Sequence, residues 1–240
     1  MTRTYERFAR HYDALMAGDP LTNAARVSGY LARHLPAARS LLELGCGSGA
    51  ILAGLDPQLS MIGVDRSPQM LARARARVPR ARLLEGEIAT FELGERVDAV
   101  ICVFDTLNHL ERLDSWRALF TRTAAHLGRG GLFAFDVNTV AQLRRLAEAS
   151  PWIRRLDGAT VLQHVDWHGE GRATWHVRIE ERLPDGRLAR HHERIPELGL
   201  PLATIASALE REFELLECSD DDGAAPSDSS PRAYFAYRRR

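Results

Sequence analysis

Three alternating glycines follow an apolar run and an acidic residue early in the chain. The run Leu41-Leu42-Glu43-Leu44 leads into Gly45-Cys46-Gly47-Ser48-Gly49. Glycines adopt positive φ and let backbone N–H groups approach a ligand without an intervening Cβ. The pattern therefore predicts a strand, a tight loop and a helix that begins at Ala50-Ile51-Leu52 with its N-terminus facing a nucleotide-type ligand. The same spacing satisfies the dinucleotide fingerprint G-x-G-x-x-[GA], so the glycines alone leave the ligand open.

Two acidic residues distinguish between cofactors. Glu43 would repel a pyrophosphate but suits a ligand that carries an ammonium and a sulfonium, which favours S-adenosylmethionine over a nicotinamide dinucleotide. A second apolar run, Met61-Ile62-Gly63-Val64, ends in Asp65, about 20 residues after Gly45, where an acid that binds a ribose diol is expected. Both cofactors contain that diol, so Asp65 indicates a nucleoside without identifying the rest of the ligand.

Polar side chains also follow two later apolar runs. Residues 97–104 form a nearly continuous apolar stretch, typical of a central parallel strand covered on both faces, and Asp105 and His109 come after it. The next apolar strand ends in Asp136 and Asn138. Ligands of open α/β sheets bind beyond the carboxyl ends of the strands, so we expect these side chains beside the reacting group.

Composition limits the class of protein. The 240 residues include 32 basic and 32 acidic side chains, so the zero net charge gives no electrostatic reason to expect a nucleic-acid partner. The three cysteines have no metal-like spacing and suit a reducing compartment. No signal peptide opens the chain, and no apolar run approaches the ~20 residues of a membrane span. We expect a cytoplasmic protein with one α/β domain and an extra element.

Helical periodicity places the remaining elements of the first half. Residues 4–16 carry Tyr5, Phe8 and Tyr12 at spacings of three and four, which predicts a helix with one apolar face. That helix either packs on the sheet or acts as a lid whose Tyr12 closes over the ligand. A second helix is expected at about 21–35, and Ser67 is expected to cap a third that begins at Pro68.

From about residue 160 the periodicity changes from helical to alternating, which predicts an antiparallel β meander. Pro184-Asp185-Gly186 forms one of its turns, and we assign residues 151–198 to this insert. One face carries His164, His176 and Arg178, which we expect to contact an acceptor, while Trp167 and Trp175 pack against the rest of the fold. The alternative is that the meander joins two copies of the chain in a homodimer. A further helix after Pro201 and two last strands, within 199–240, complete the core.

The motifs together resemble the class I S-adenosylmethionine-dependent methyltransferases. Glu43-Leu44-Gly45-Cys46-Gly47-Ser48-Gly49 is similar to their glycine motif, Gly63-Val64-Asp65-Arg66-Ser67 to their ribose-binding turn, and Leu127-Gly128-Arg129-Gly130-Gly131 to the turn before their fifth strand. The segment from Cys102 to Leu110 resembles a small-molecule branch that includes aminosugar N-methyltransferases. It lacks the Asn/Asp-Pro-Pro-aromatic motif of enzymes that methylate exocyclic base amines.

The resemblance implies a fold, a cofactor and a set of contacts. The fold is a Rossmann-like, seven-stranded, mostly parallel sheet with helices on both faces, formed by a cofactor-binding core in 1–150 and completed by 199–240. The cofactor is S-adenosylmethionine, and its product is S-adenosylhomocysteine. The implied cofactor contacts are Tyr12, Glu43, Gly45, Cys46, Gly47, Gly49, Asp65, Arg66, Met70, Gly86, Glu87, Ile88, Val103, Phe104, Asp105 and Asn108.

The acceptor side leaves more than one role open. Asp105, Asp136 and Asn138 either contact the acceptor, cap loops, or hold a divalent cation as in metal-dependent catechol-type methyltransferases. Those enzymes have the acid and Asn adjacent, whereas Val137 intervenes here, so we expect no metal. The histidines of the insert show no tight ligand pair, and we expect them to face solvent or substrate rather than zinc.

Two functions remain compatible with these residues. The first is transfer of a methyl group by in-line displacement to an N or O atom of a small molecule, in which alignment and desolvation lower most of the barrier. His109 and Tyr12 are the candidate catalytic residues, although His109 could equally pack beneath its loop. The alternative is a catalytically inactive sensor or scaffold that binds S-adenosylmethionine; turnover of any acceptor distinguishes the two.

Overall fold

The computed structural model of the protein describes residues 8–16, 19–183 and 185–240. Tyr5 of the expected first helix and Pro184 of the expected hairpin turn lie outside these residues. The helices are α1 (Ala9–Leu15), α2 (Asp19–His34), α3 (Pro68–Arg77), α4 (Leu113–His126), α5 (Val140–Ala149) and α6 (Leu202–Leu209). None of the described helices is both long and apolar enough to span a lipid bilayer.

A seven-stranded sheet forms the centre of the fold. Its strands are β1 (Ser40–Leu44), β2 (Ser60–Asp65), β3 (Arg82–Glu85), β4 (Val97–Cys102), β5 (Leu127–Asn138), β10 (Phe213–Ser219) and β11 (Arg232–Arg239), in the order β10-β11-β5-β4-β1-β2-β3. Neighbours from β3 to β5 are parallel, whereas β11 is antiparallel to both β5 and β10. The Rossmann-like, mostly parallel sheet predicted from the sequence is confirmed.

Helices cover both faces of this sheet because its strands are apolar on both. Leu42 and Leu44 of β1 belong to a core cluster that includes Trp116 of α4 and Ile205 of α6. Leu41, which points the other way, belongs to a second cluster with residues of α2 and α3. This two-sided burial explains why the parallel strands are nearly continuous apolar runs in the sequence.

The insert folds as a separate antiparallel sheet, which we call the insert sheet. Its strands are β6 (Trp152–Leu156), β7 (Ala159–Gly169), β8 (Arg172–Arg182) and β9 (Leu188–Leu198), in the order β6-β7-β8-β9. The apolar side chains of one face, including Val161 and Ile179, pack against Phe8 beside α1. The predicted meander is confirmed, with β6 as an additional strand and α5 leading into it.

One predicted helix is replaced by a shorter element. After the glycine loop the chain forms only a 3₁₀ turn, Leu52–Gly54, and becomes extended at Leu55 with φ −92° and ψ 169°. Gly54 is a weak helix former, and Pro57 disfavours helical backbone at the residue before it. A three-residue turn cannot carry the dipole of a full helix, so the loop lacks the anion-binding helix end that a pyrophosphate would use.

Candidate functional site

A cavity of about 330 Å³ opens at the carboxyl ends of β1, β2 and β4 and continues to the insert sheet. Small-molecule sites commonly have this size, and open α/β sheets bind ligands at this edge. Most of its wall comes from α1, the glycine loop, the ends of parallel strands and the inner face of the insert sheet. The lining residues are Phe8, Tyr12, Met16, Gly45, Gly47, Asp65, Arg66, Met70, Gly86, Glu87, Ile88, Phe104, Asp105, Thr106, His109, Leu110, Asn138, Gln142, Leu146, Gln163, Trp175, Val177, Ile195, Glu197 and Arg232.

Asp65 organises the backbone around the cofactor end of the cavity. Its Oδ2 accepts a hydrogen bond of 2.9 Å from the Gly47 N–H, and its Oδ1 accepts one of 2.8 Å from the Ser67 N–H. Burial raises the pKa of Asp65, although these two hydrogen bonds oppose the rise. The carboxylate therefore fixes the glycine loop and the turn after β2 while it also faces the cavity.

Most of the implied cofactor contacts come together in the cavity wall. They are Tyr12, Gly45, Gly47, Asp65, Arg66, Met70, Gly86, Glu87, Ile88, Phe104 and Asp105. The described residues that line the cavity do not include the other implied contacts, which are Glu43, Cys46, Gly49, Val103 and Asn108. Direct contact of either group with the cofactor stays a prediction.

Glu43 is buried at the end of β1, behind the glycine loop. It accepts a hydrogen bond from the Leu52 backbone, and its Oε2 has no hydrogen-bond partner among the described residues. Burial and then the charge of Asp65 raise the pKa of Glu43. Added positive charge would therefore stabilise this region. The space beside Gly47 is open, since a Cβ there would meet no atom of a described residue within 4 Å apart from its two chain neighbours. Both features fit a nucleoside that bears a sulfonium.

Asn108 joins three segments instead of facing the cavity. Its Nδ2 donates to the Asn138 and Leu198 carbonyl oxygens, both at 3.0 Å, and its Oδ1 accepts from the Asn138 N–H at 2.9 Å. The side chain is fully buried. Asn108 thus uses both amide hydrogens and its amide oxygen to tie β5 and β9 to the loop after β4. Its predicted contact with the cofactor stays a prediction.

Asp136 is also a structural residue. It is fully buried, its Oδ1 accepts from the Asp105 N–H at 2.7 Å, and its Oδ2 lies 3.2 Å from Arg232 Nη1. The other guanidinium nitrogen of Arg232 lies 3.2 Å from Asp105 Oδ1. Burial lowers the pKa of Arg232, but the carboxylates of Asp136 and Asp105 outweigh this and raise it. Asp136 therefore positions Asp105 and Arg232. The other two predicted acceptor residues at these strand ends, Asp105 and Asn138, line the cavity.

The turn after β4 has a strained backbone. Phe104 and Asp105 have φ values of 65° and 51° although neither is glycine. Such conformations cost of order 1–3 kcal/mol each and occur preferentially at functional sites. The hydrogen bond from the Asp105 N–H to Asp136 holds this turn, which presents both Phe104 and Asp105 to the cavity.

Helix α1 is attached on both sides of the cavity. On the cofactor side Asp13 accepts from Ser48 Oγ at 2.6 Å and forms ion pairs with Arg73 and Arg77 at 2.7 and 2.8 Å. Burial raises the pKa of Asp13, but its hydrogen bonds from Arg77, Ser48 and Arg73 outweigh this effect and lower the pKa to about 2. On the other side Glu193 of the insert sheet accepts from the Phe8 N–H at 2.9 Å. These contacts hold Tyr12 over the cavity.

Removing the Asp13 carboxylate is expected to loosen α1. We predict that Asp13→Ala weakens S-adenosylmethionine binding about ten-fold, the equivalent of about 1.4 kcal/mol, because charge-assisted hydrogen bonds are among the stronger ones. Calorimetry measures the effect. Asp114→Ala removes an exposed acid of α4 that pairs with Arg117 and serves as the matched control. Equal affinities in the two variants would show that the ionic contacts of α1 do not contribute to binding.

Three titratable side chains meet at the end of the cavity nearest the insert sheet. Asp105, His109 and Glu197 each place one ligand atom within 4.8 Å of the others. Burial and then the nearby Arg66 lower the pKa of His109 to about 4, although a hydrogen bond to the Pro196 backbone opposes this. The imidazole is therefore neutral near pH 7. The group could hold a small cation, but Arg232 already pairs with Asp105, which favours a monovalent organic cation over a metal.

The expected acceptor face of the insert sheet points away from the cavity. His164 and His176 place their Nε2 atoms 2.8 and 2.9 Å from the two oxygens of Asp166, and His176 Nδ1 lies 3.0 Å from His192 Nε2. Arg178 is exposed. None of the three predicted acceptor residues His164, His176 and Arg178 is among the described residues that line the cavity. Their contact with an acceptor stays a prediction, and this placement does not favour it.

The opposite face of the insert sheet lines the cavity instead. It contributes Gln163 from β7, Trp175 and Val177 from β8, and Ile195 and Glu197 from β9. Apolar side chains of this face also bury against Phe8 and α5, and this burial fixes the orientation of the sheet. Trp167 packs in the cluster around α5, as expected from the sequence.

Sequence reasoning missed several cavity residues because no motif contains them. Glu197 and Arg232 lie far along the chain from the glycine loop, in segments without a diagnostic pattern. A signal did exist for Glu197: it stands among Ile195, Pro196 and Leu198. A charged residue within such an apolar stretch is seldom fully buried unless it is paired or functional.

Known proteins resemble the chain in sequence and in fold. A family model described as "Methyltransferase domain" matches residues 41–131. The dTDP-3-amino-3,6-dideoxy-alpha-D-glucopyranose N,N-dimethyltransferase of Streptomyces fradiae is 32% identical, over 77% of this chain and 74% of that protein. The trans-aconitate 2-methyltransferase of Azoarcus sp. (strain BH72) is 30% identical over 94% of both chains. A structure of an amino pentose methyltransferase from Micromonospora echinaspora with bound S-adenosylmethionine covers 99% of both chains with a TM-score of 0.74 at 23% identity.

These matches agree with the site. The family model spans the glycine loop, Asp65 and the strand before Asp105, which are the parts that form the cofactor end of the cavity. The methyl donor is S-adenosylmethionine, and the acceptor is a small molecule. The chain thus belongs to the class I S-adenosylmethionine-dependent methyltransferases, in the small-molecule branch that resembles aminosugar N-methyltransferases.

Proposed function

We propose that this protein methylates the amino nitrogen of a sugar carried by a nucleotide. Two kinds of relative suggest different acceptors: an aminosugar in one case and trans-aconitate, a tricarboxylate, in the other. The observation that favours the amine is the acidic end of the cavity, where Asp105 and Glu197 lie within ligand distance of each other. Arg232 is paired with Asp105 and Asp136, so it is not available to a carboxylate. Carboxylates of an acceptor would be repelled there, whereas an amine would be attracted.

The chain's own residues bind and align the reactants. S-adenosylmethionine supplies a methyl group on a sulfonium when bound. Asp65 and the loop at Gly47 would hold the nucleoside, with Tyr12 above them, and the inner face of the insert sheet would hold the acceptor. Alignment of two reactants in a closed site can supply about 7–11 kcal/mol of the barrier, so no covalent intermediate is required.

Tyr12 and His109 have complementary roles in this proposal. Burial and then the charges of Asp105 and Asp65 raise the pKa of Tyr12, so its hydroxyl stays protonated and acts as a hydrogen-bond donor. His109, with a pKa of about 4, stays neutral and accepts or donates a hydrogen bond without competing with a cationic amine. Both residues line the cavity and would touch the reactants.

The division of the chain follows from these roles. Residues 1–150 and 199–240 form the cofactor-binding core, and 151–198 select the acceptor. A cytoplasmic enzyme without a nucleic-acid partner fits a small-molecule acceptor. Ile153 and Leu188 of the insert sheet are 62% and 59% exposed, and they are candidates for a homodimer contact.

The experiment compares three acceptors under one assay. Purified protein with S-adenosylmethionine is given dTDP-3-amino-3,6-dideoxy-α-D-glucopyranose, its 3-hydroxy analogue, or trans-aconitate, and products are identified by mass spectrometry. We expect methylation of the amine alone, and equal turnover with and without EDTA. Methylation of trans-aconitate or of the hydroxy analogue in preference to the amine would refute the proposal.

A further inference from the structure

Glu197 is a buried member of the acidic cavity end that has one carboxyl oxygen open to a ligand. Its side chain is 4% exposed, lines the cavity, and its Oε2 has no hydrogen-bond partner among the described residues. Asp105, in contrast, is 3.2 Å from the guanidinium of Arg232. A buried carboxyl oxygen without a partner is destabilising, so a ligand that supplies a hydrogen-bond donor there is stabilised.

We infer that Glu197 forms the subsite for the acceptor's basic nitrogen, binding it as an ammonium and taking up its proton before methyl transfer. This inference rests on the proposed amine acceptor and specifies which residue recognises it. The groups that face Glu197 are Asp105, His109, the Trp175 indole and Arg232. Among them, Asp105 offers a second carboxylate for another ammonium proton.

The charge state of the empty subsite agrees with this role. Burial and then the charge of Asp105 raise the pKa of Glu197, although the Trp175 indole and Arg232 oppose the rise. A raised pKa means that the carboxylate of Glu197 is disfavoured when no cation is present. An entering cation restores the carboxylate, so the subsite discriminates strongly between an amine and a neutral hydroxyl.

Glu197 exchanges one proton with the amine before the methyl group is transferred. A neutral amine R–NH₂ that meets Glu197–COOH becomes R–NH₃⁺ beside Glu197–COO⁻. Return of that proton to Oε2 frees the nitrogen lone pair, a C–N bond forms as the C–S bond to the sulfonium breaks, and the C–S electron pair goes to sulfur. The product R–NH₂⁺–CH₃ can pass a proton to solvent as it leaves, or repeat the exchange for a second methyl group.

The test uses a ring amine and a ring alcohol of the same size, and it needs no turnover. Binding of cyclohexylamine and of cyclohexanol to the protein saturated with S-adenosylhomocysteine is measured by titration. We expect wild type to bind the amine at least about ten-fold more tightly than the alcohol, and Glu197→Gln to lose this preference while its S-adenosylhomocysteine affinity is unchanged. Glu180→Gln makes the same change on the exposed face of β8, where Glu180 pairs with Arg190, and should keep the preference.

Each outcome decides the inference. No amine preference in wild type, or the same preference in Glu197→Gln, would overturn it, and the wild-type measurement stands even if the variant does not fold. A preference that EDTA abolishes and zinc restores would assign Asp105, His109 and Glu197 to a metal and would also overturn it. If the protein selects the ring amine but methylates no nucleotide-linked aminosugar, the proposed acceptor class is wrong, while the amine subsite at Glu197 is supported.

Discussion

Replacing Asp65 with alanine is expected to weaken S-adenosylmethionine binding by at least about 100-fold, the equivalent of about 2.7 kcal/mol. The carboxylate accepts hydrogen bonds from the Gly47 and Ser67 N–H groups and also lines the cavity. Hydrogen bonds to a charged group contribute about 1.5–3 kcal/mol each, so loss of both disorders the loop that surrounds the nucleoside. Isothermal titration calorimetry measures the change directly.

Asp98→Ala is the matched control for this prediction. Asp98 Oδ2 likewise accepts from two backbone N–H groups, those of Arg39 and Ser40 at 2.8 and 3.0 Å, but it lies at the amino end of β4. This variant should lower the melting temperature and retain wild-type cofactor affinity. If Asp65→Ala behaved like Asp98→Ala, the carboxylate at position 65 would be structural and the cofactor site would have to be sought elsewhere.

The cofactor end of the site could be predicted because its determinants are local in sequence. The glycines, Glu43 and Asp65 occur within two adjacent strand–turn units, and parallel strand pairing brings their carboxyl ends together without further information. The helix after the glycine loop could not be predicted in the same way, since Gly54 and Pro57 shorten it to a single turn.

The orientation of the insert sheet illustrates a limit of periodicity. Alternation separates Trp175 from His176, but it does not state which of the two faces a cavity. We expected the polar face to meet a polar acceptor; the structure turns that face outward because Val161, Val177 and Ile195 must bury against Phe8 and its neighbours. Burial of apolar area outweighs the placement of polar groups in orienting the sheet.

Polar residues at strand ends have a structural use that the sequence does not reveal. Asn108 and Asp136 follow apolar strands, as binding residues do, yet both are fully buried and use their side chains to hold backbone segments. Buried backbone groups near an irregular turn require partners, and nearby Asn and Asp side chains supply them. The sequence cannot distinguish this use from ligand contact, because the partners, such as Leu198, come from distant segments.

Substitutions of the two glycines at the cavity should separate ligand binding from folding. At Gly47 φ is +51° and an added Cβ would find no atom of a described residue within 4 Å, so the space there is available to a ligand. We predict that Gly47→Val weakens S-adenosylmethionine binding at least about 100-fold, with a loss of about 1–2 kcal/mol in unfolding free energy from the left-handed backbone. Gly158→Val, at φ +70° with equally open surroundings in the β6–β7 turn, should show the same loss of stability and normal binding.

Gly45 should respond in the opposite way. There φ is +72°, and an added Cβ would lie only 2.3 Å from Thr106 Cγ2, a contact that requires the loop after β4 to move. Gly45→Ala is therefore expected to lower the unfolding free energy by about 2–4 kcal/mol, in the range of an overpacked core combined with left-handed strain. Thr106→Ser removes the clashing methyl group and keeps the hydroxyl that donates to the Val103 carbonyl, so the double variant should recover part of the stability. Thermal denaturation of Gly47→Val, Gly158→Val, Gly45→Ala and the Gly45→Ala/Thr106→Ser double variant measures the stability changes. Calorimetry measures the cofactor affinity of the same proteins. A Gly47→Val protein that binds normally would contradict the close approach of the loop and the ligand. A Gly45→Ala defect that Thr106→Ser leaves unchanged would contradict the tight contact between Gly45 and Thr106.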